Sequence, residues 1–209
     1  MAVPGREQFR AAILQYLEVP GARFFRTIGF TPNTITLLGF AVSLSAAFLV
    51  GYGCLLLGGI VFLVGGGLDL FDGALARLTG RVSPFGALLD SVFDRLGEAS
   101  LFVGLAIYGL RTGFGEPFTL IFLITLLLAL IFSQGVSYLR ARGEGLGVYT
   151  RAGVMTRTER VIILGFGLII DHFLGFSFIF WVLVAIAGVS CFTLFQRMFT
   201  IRNILNKGG

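Results

Sequence analysis

The sequence predicts an all-α integral membrane protein, with six transmembrane helices preceded by an N-terminal amphipathic helix lying on the membrane interface. Three observations predict it. Of 209 residues, 56% are hydrophobic and only 13% charged, whereas a soluble domain carries roughly 25% charged residues; this composition cannot cover a water-facing surface. Apolar runs of about 20 residues, the length that crosses a bilayer, start near Thr34, Leu55, Gly86, Pro117, Arg160 and Gly175 and use most of the chain. Stretches such as Phe118–Phe132 are apolar on every face, whereas a β-barrel needs segments of roughly ten residues that alternate in polarity.

Residues 1–30 form the first element. Phe9, Ile13, Tyr16 and Leu17 recur at helical spacing opposite Arg6, Glu7, Arg10 and Gln15, which predicts a helix on the interface. Its apolar stretch is short and interrupted by Pro, Arg and Glu, so a cleavable signal is not expected. The membrane domain takes residues 31–209. Its first helix opens at Thr31-Pro32-Asn33-Thr34, where proline fits a first helical turn and Thr or Asn side chains can cap free amides. Gly51-Tyr52-Gly53, Gly80 with Pro84, Gly113 to Pro117 and Gly143 to Gly153 mark the further connections. Glycines inside the helices, such as Gly58, Gly59 and Gly65 to Gly67, suit close helix packing; no Walker-type lysine follows Gly67, which argues against a phosphate loop.

Sixteen basic and eleven acidic residues give a net charge of +5. The basic ones cluster before the first helix (Arg6, Arg10, Arg23, Arg26), between the second and third (Arg77, Arg81), between the fourth and fifth (Arg140, Arg142, Arg151, Arg157, Arg160), and at the end of the sixth (Arg197, Arg202, Lys207). By the positive-inside rule, these positions and both termini face the cytoplasm, as expected in a cell membrane. Topology thus accounts for the basic surplus, and no nucleic-acid partner is needed. Cys54 and Cys191 offer neither a disulfide framework nor a CxxC metal pattern and read as packing residues.

Four of the eleven acids, Asp69, Asp72, Asp90 and Asp94, lie within 26 positions at the membrane edge. On insertion scales each charge in a membrane helix costs about 2.5–3.5 kcal/mol, so the cluster needs a reason. At about 100° per residue, Asp69, Asp72, Gly73, Ala76 and Arg77 share a face at the end of the second helix, and Gly86, Asp90 and Asp94 share one at the start of the third. A short connection through Gly80 and Pro84 folds the two helices antiparallel, so the acidic faces can meet. Converging carboxylates repel, and a divalent cation resolves the repulsion; an all-oxygen set suits Mg²⁺, Mn²⁺ or Ca²⁺. Gly73, Ala76 and Gly86 leave room for a ligand against the backbone. Arg95 lies on the opposite side from Asp90 and is expected to pair with Glu98.

The pattern Asp69-x2-Asp72-Gly73-x2-Ala76-Arg77-x8-Gly86-x3-Asp90-x3-Asp94 resembles the complete signature of the CDP-alcohol phosphatidyltransferases. The resemblance implies transfer of a phosphatidyl group from CDP-diacylglycerol, or a related CDP-lipid, to an alcohol, with release of CMP, in a homodimer. It implies that Asp69, Asp72 and Asp90 bind two Mg²⁺ or Mn²⁺ ions, and that Asp94 is the general base and also touches a metal. Gly73, Ala76, Arg77 and Gly86 would line the CDP-lipid pocket, beside Pro32 and Asn33.

The stretch Tyr138 to Arg160 is more basic than topology requires. Anchoring to anionic lipid headgroups is one reading; a pocket for a phosphorylated acceptor is the other, since the Arg fork matches phosphate. The Ser-Tyr-x-basic-Ala-Arg, Arg-x-x-Glu-Arg and Gln-Arg segments resemble those of phosphatidylinositol-phosphate synthases. That match implies inositol phosphate as acceptor, held by Arg140, Arg157 and Arg197. Arg140 where lysine is common, Gly143 for alanine and Thr158 for proline or alanine are departures that keep glycerol 3-phosphate as the alternative acceptor. Asp171 and His172 read as a loop between the fifth and sixth helices, and Trp181 as a membrane anchor. A cation transporter, the non-enzyme alternative, places its site near the midplane, whereas these aspartates gather at one end.

Overall fold

The computed structural model describes residues 18–113, 115–150, 152–174 and 177–208, and all regular structure among them is helical. The helices are α1 (Val19–Thr27), α2 (Pro32–Gly51), α3 (Leu55–Thr79), α4 (Pro84–Thr112), α5 (Phe118–Gly145), α6 (Arg157–Leu174) and α7 (Ser177–Gly208). The six long ones begin within three residues of the expected starts. The amphipathic segment built on Phe9 to Leu17 lies outside the described residues.

Local chemistry explains where helices start and stop. Thr31 Oγ1 accepts from the backbone N–H of Thr34, and Pro32 occupies the first turn of α2, the cap and proline placement expected from the sequence. At the start of α6 the Glu159 carboxylate reaches back to take the Thr156 backbone N–H, the glutamate half of a capping box. Gly53 and Gly80, at φ +87° and +66°, turn the chain between α2 and α3 and between α3 and α4 with backbone that side-chain-bearing residues rarely adopt.

α2, α3, α5 and most of α7 are long and apolar enough to cross a membrane, and the chain is an all-α, multi-pass membrane protein. α4 and α6 carry more charge: Asp90, Asp94, Arg95 and Glu98 on one, Arg157, Glu159, Arg160 and Asp171 on the other. Large apolar side chains face outward along the helices, Phe48, Ile131, Trp181 and Phe192 each being more than half exposed. In water such faces would be costly; in lipid they meet their own kind.

The chain divides into two compact units. One holds α1, α2 up to Leu44, α3 from Val64 and α4 up to Gly97; its core is Ala22, Ile35, Ala74 and Leu75, with Phe25, Phe30, Leu68 and Phe71 packed around them. The other holds the remaining parts of α2, α3 and α4 with α5, α6 and α7, around a larger core that includes Phe62, Phe102, Phe122, Leu164 and Leu183. In this second unit α3 and α6 meet through glycines: a Cβ on Gly59 would lie 2.8 Å from the Gly165 carbonyl oxygen. Backbone contact at that range is what small residues permit between membrane helices.

Two expectations about charged residues are corrected. Glu98 does not pair with Arg95. Its carboxylate takes Arg160 Nε at 2.6 Å and Nη2 at 2.9 Å, with both side chains fully buried, while Arg95 Nη1 donates to the Ser91 carbonyl at 3.0 Å. Asp171 and His172 are not in a loop but in the last turn of α6. Asp171 is buried and accepts the backbone N–H of Ile179 at 2.8 Å, satisfying an amide in the first turn of α7 that has no partner within its own helix.

Candidate active site

In the first unit, α3 runs out at Thr79, the chain reverses through Gly80, and α4 returns from Pro84. A cavity of about 310 Å³ opens beside this turn. Pro32, Asn33 and Thr36 of α2 line it, with Asp72, Gly73, Ala76 and Arg77 of α3, Arg81 and Ser83 of the turn, and Gly86 and Asp90 of α4. Three helix ends thus supply one carboxylate each from α3 and α4, two arginines, and small residues between them. Asp69 and Asp94 stand one helical turn further from the connection, on the faces that carry Asp72 and Asp90.

Asp72 is buried. Thr36 Oγ1 donates to its Oδ2 at 2.6 Å, and the Gly73 backbone N–H donates to Oδ1. Both donors are neutral, and the charges of Asp69 and Asp90 both reach Asp72, so the group sits in a field of its own sign. Asn33 Oδ1 would be 3.4 Å from a Cβ on Gly86, and Ser83 Oγ 3.1 Å; a side chain at position 86 would push into the cavity wall. Arg77 reaches back to α1, its Nη2 donating to Glu18 Oε2 at 3.0 Å. Glu18 and Thr36 are site neighbours that the sequence reading missed. Each is remote in sequence from the group it holds, and only Thr36, one turn beyond Pro32 and Asn33, carried any local signal.

The residues fit a hard divalent cation by donor type: carboxylate and hydroxyl oxygens, with lone pairs left on both oxygens of Asp72. Among the described residues no three His, Cys, Asp or Glu side chains are gathered to hold a metal ion as they stand. The Asp72 carboxylate is turned onto Thr36 and the Gly73 amide.

The second unit holds the three arginines expected to bind an acceptor. Arg140 on α5 is exposed and pairs with Glu144 at 3.1 Å. Arg157 is the first residue of α6. Arg197 on α7 is buried, donating from Nε to the Ala152 carbonyl at 2.7 Å and from Nη1 to that of Val136 at 2.9 Å. The charges of Arg140 and Arg160 both reach it, opposed by Glu144. Arg160, read from the sequence as part of the topology signal, is therefore a member of this basic group, with one face spent on Glu98.

The sequence model of CDP-alcohol phosphatidyltransferases matches residues 30–192, and the chain belongs to that family of enzymes. It is similar to an archaetidylinositol phosphate synthase of Pyrococcus horikoshii, at 41% identity over 75% of this chain and 78% of that one. Another archaetidylinositol phosphate synthase, from Methanothermobacter thermautotrophicus, is 34% identical over 91% of both chains. Among solved structures it resembles the phosphatidylinositol phosphate synthase of Mycobacterium tuberculosis. With CDP-DAG bound, that enzyme matches at TM-score 0.78 and 31% identity over 88% of this chain and 93% of its own; a second structure holds manganese and citrate and gives 0.79.

Proposed function

We propose that this enzyme transfers the phosphatidyl group, or its ether-lipid counterpart, from a CDP-lipid to a hydroxyl of inositol phosphate, releasing CMP, in phospholipid synthesis. The observation that carries the acceptor class is Arg197: a buried guanidinium whose hydrogen bonds go to neutral carbonyls and whose neighbours include two further arginines. Such a group calls for an anion. The names of the relatives support inositol phosphate over glycerol 3-phosphate.

The cavity residues divide the work. Asn33, Gly73, Ala76 and Gly86 leave space for the nucleotide, and Arg77, exposed beyond its contact with Glu18, can meet the diphosphate. Asp69, Asp72 and Asp90, with Asp94 in reach, would hold two Mg²⁺ or Mn²⁺ ions. These would neutralise charge on the departing CMP and polarise the phosphorus under attack. The acceptor oxygen bonds to the phosphorus that carries the lipid, the bond from that phosphorus to the oxygen of CMP breaks, and the hydroxyl proton passes to Asp94 as general base. Arg140, Arg157 and Arg197 grip the acceptor's own phosphate.

The same reading takes all six long helices, α2 to α7, as spans of the cell membrane. Buried pairing and capping compensate charge inside α4 and α6. Residues 1–30 lie on the interface, residues 31–209 form the membrane domain, both termini and the site face the cytoplasm where the basic residues cluster, and two copies form a homodimer embedded in membrane lipids. The deciding experiment is CMP release from CDP-diacylglycerol and its ether analogue by purified protein with Mg²⁺ or Mn²⁺, offered inositol phosphate, glycerol 3-phosphate, free inositol or serine. Release with inositol phosphate is expected; release only with another alcohol refutes the acceptor assignment.

A further inference from the structure

The buried arginine of α7 is held in an unusual way. Its Nε–H and Nη1–H are taken by carbonyls from two separate stretches of chain, Ala152 in the α5–α6 connection and Val136 in α5. Among the described residues Nη2 makes no hydrogen bond. Neither carbonyl bond is an ion pair, so the two orient the group without cancelling its charge. Shape completes the orientation.

Gly153 supplies that shape. A Cβ placed there would lie 2.9 Å from Arg197 Nε, 3.0 Å from Nη2 and 2.9 Å from Thr193 Cγ2. The backbone at 153 therefore lies along the guanidinium edge opposite Nη1, and any side chain would drive the group off. The position has a second, independent demand for glycine, a φ of +130°, which side-chain-bearing residues rarely adopt. The Ala152 carbonyl meets Nε, and the place a Cβ would take at 153 lies beside Nη2.

We infer that Gly153 is a positioning residue for the acceptor substrate. It acts through Arg197, fixing the guanidinium so that Nη2 remains available to an anionic phosphate oxygen, and it does not itself touch substrate. The Ala152–Gly153 peptide and the Val136 carbonyl form a neutral cradle, which holds the cation without cancelling its charge. A carboxylate there would have oriented Arg197 equally well and removed its attraction for an anion. The inference rests on the reading of a phosphorylated acceptor given above.

The test uses the full chain in lipid vesicles, measuring CMP release while inositol phosphate is varied at saturating CDP-diacylglycerol, and then the reverse. Gly153→Ala should raise the acceptor KM by about tenfold or more, since displacing a binding group by about 1 Å is felt on that scale or beyond. The KM for CDP-diacylglycerol should stay within about twofold, because the change removes binding to one substrate only. A second variant, Ala152→Gly, keeps the carbonyl and suits any backbone conformation but loosens the peptide. It should raise the acceptor KM about two- to fivefold by the same logic, and it decides the matter if Gly153→Ala is not recovered folded. A merely structural role would change kcat and both KM values together; that result, or an unchanged acceptor KM in the variants, overturns the inference. Failure of the underlying reading looks different, because wild-type protein would then release CMP as readily with free inositol as with inositol phosphate.

Discussion

Glu98→Ala would leave the Arg160 guanidinium buried without the carboxylate that accepts from Nε at 2.6 Å and from Nη2 at 2.9 Å. Ser137 Oγ, 3.3 Å from Nη2, is neutral and cannot replace it. Both charged side chains are 0% exposed, so water cannot replace it either. Breaking a buried ion pair from one side costs about 3–5 kcal/mol, because an uncompensated charge remains. For a chain of this size about 1 kcal/mol corresponds to about 2–4 °C in Tm. The expected Tm of Glu98→Ala is therefore about 6–20 °C below wild type. Removing both charges together, as Glu98→Leu with Arg160→Met, should recover most of that loss, since the desolvation penalty leaves with the attraction. Thermal unfolding of wild type, Glu98→Leu, Arg160→Met and the double variant in one detergent, followed by circular dichroism, closes a double-mutant cycle. A coupling below about 0.5 kcal/mol between the two positions would refute the buried-pair account, since contacting residues in one network couple by about 0.5–3 kcal/mol.

Three further predictions concern single groups. Asp94→Asn should abolish CMP release while CDP-diacylglycerol still raises the Tm; full activity in that variant would falsify the assignment of the base. Thr36→Val keeps the shape of the residue but removes the hydroxyl that holds Asp72 at 2.6 Å. It should raise the Mn²⁺ concentration for half-maximal activity by about 10- to 100-fold, the usual effect of losing a partner of a metal ligand; an unchanged metal titration would count against Asp72 as a ligand. Asp171→Ala removes the acceptor for the Ile179 amide and should cost about 0.5–2 kcal/mol, as losing a helix cap does, with both KM values unmoved.

Much of this architecture was legible because membrane helices write themselves as long apolar runs, and their ends as glycine and proline. The turn at Gly80 and the acidic faces on either side of it followed from 3.6-residue periodicity, and Asp72 and Asp90 do line one cavity. Glu98 was misassigned because periodicity sees only neighbours on the same helix. Arg95 is three residues away, whereas the true partner, Arg160, is 62 residues away on another helix. Asp171 looked like a loop residue because a polar pair at a helix end usually is one; that it caps the following helix is a tertiary fact. Gly153 was visible only as a turn signal, since nothing in the sequence says that its α-hydrogens face a guanidinium.

The buried charges sort by what compensates them. Glu98 and Arg160 neutralise each other, so this pair is structural; Asp171 faces the N-terminal end of α7, whose helix dipole offers partial positive charge, and serves as its cap. Asp72 and Arg197 are held just as firmly but by neutral partners: a hydroxyl and an amide for the one, two carbonyls for the other. Neutral partners fix position without cancelling charge, and charges of like sign bear on both groups: Asp69 and Asp90 on Asp72, Arg140 and Arg160, opposed by Glu144, on Arg197. In a chain that is only 13% charged, keeping two buried groups in that condition has a reason if each is completed by a mobile ion of opposite sign, a metal cation at Asp72 and a phosphate at Arg197. Those are the two charged components that a metal-dependent transfer to a phosphorylated alcohol must bring in from water.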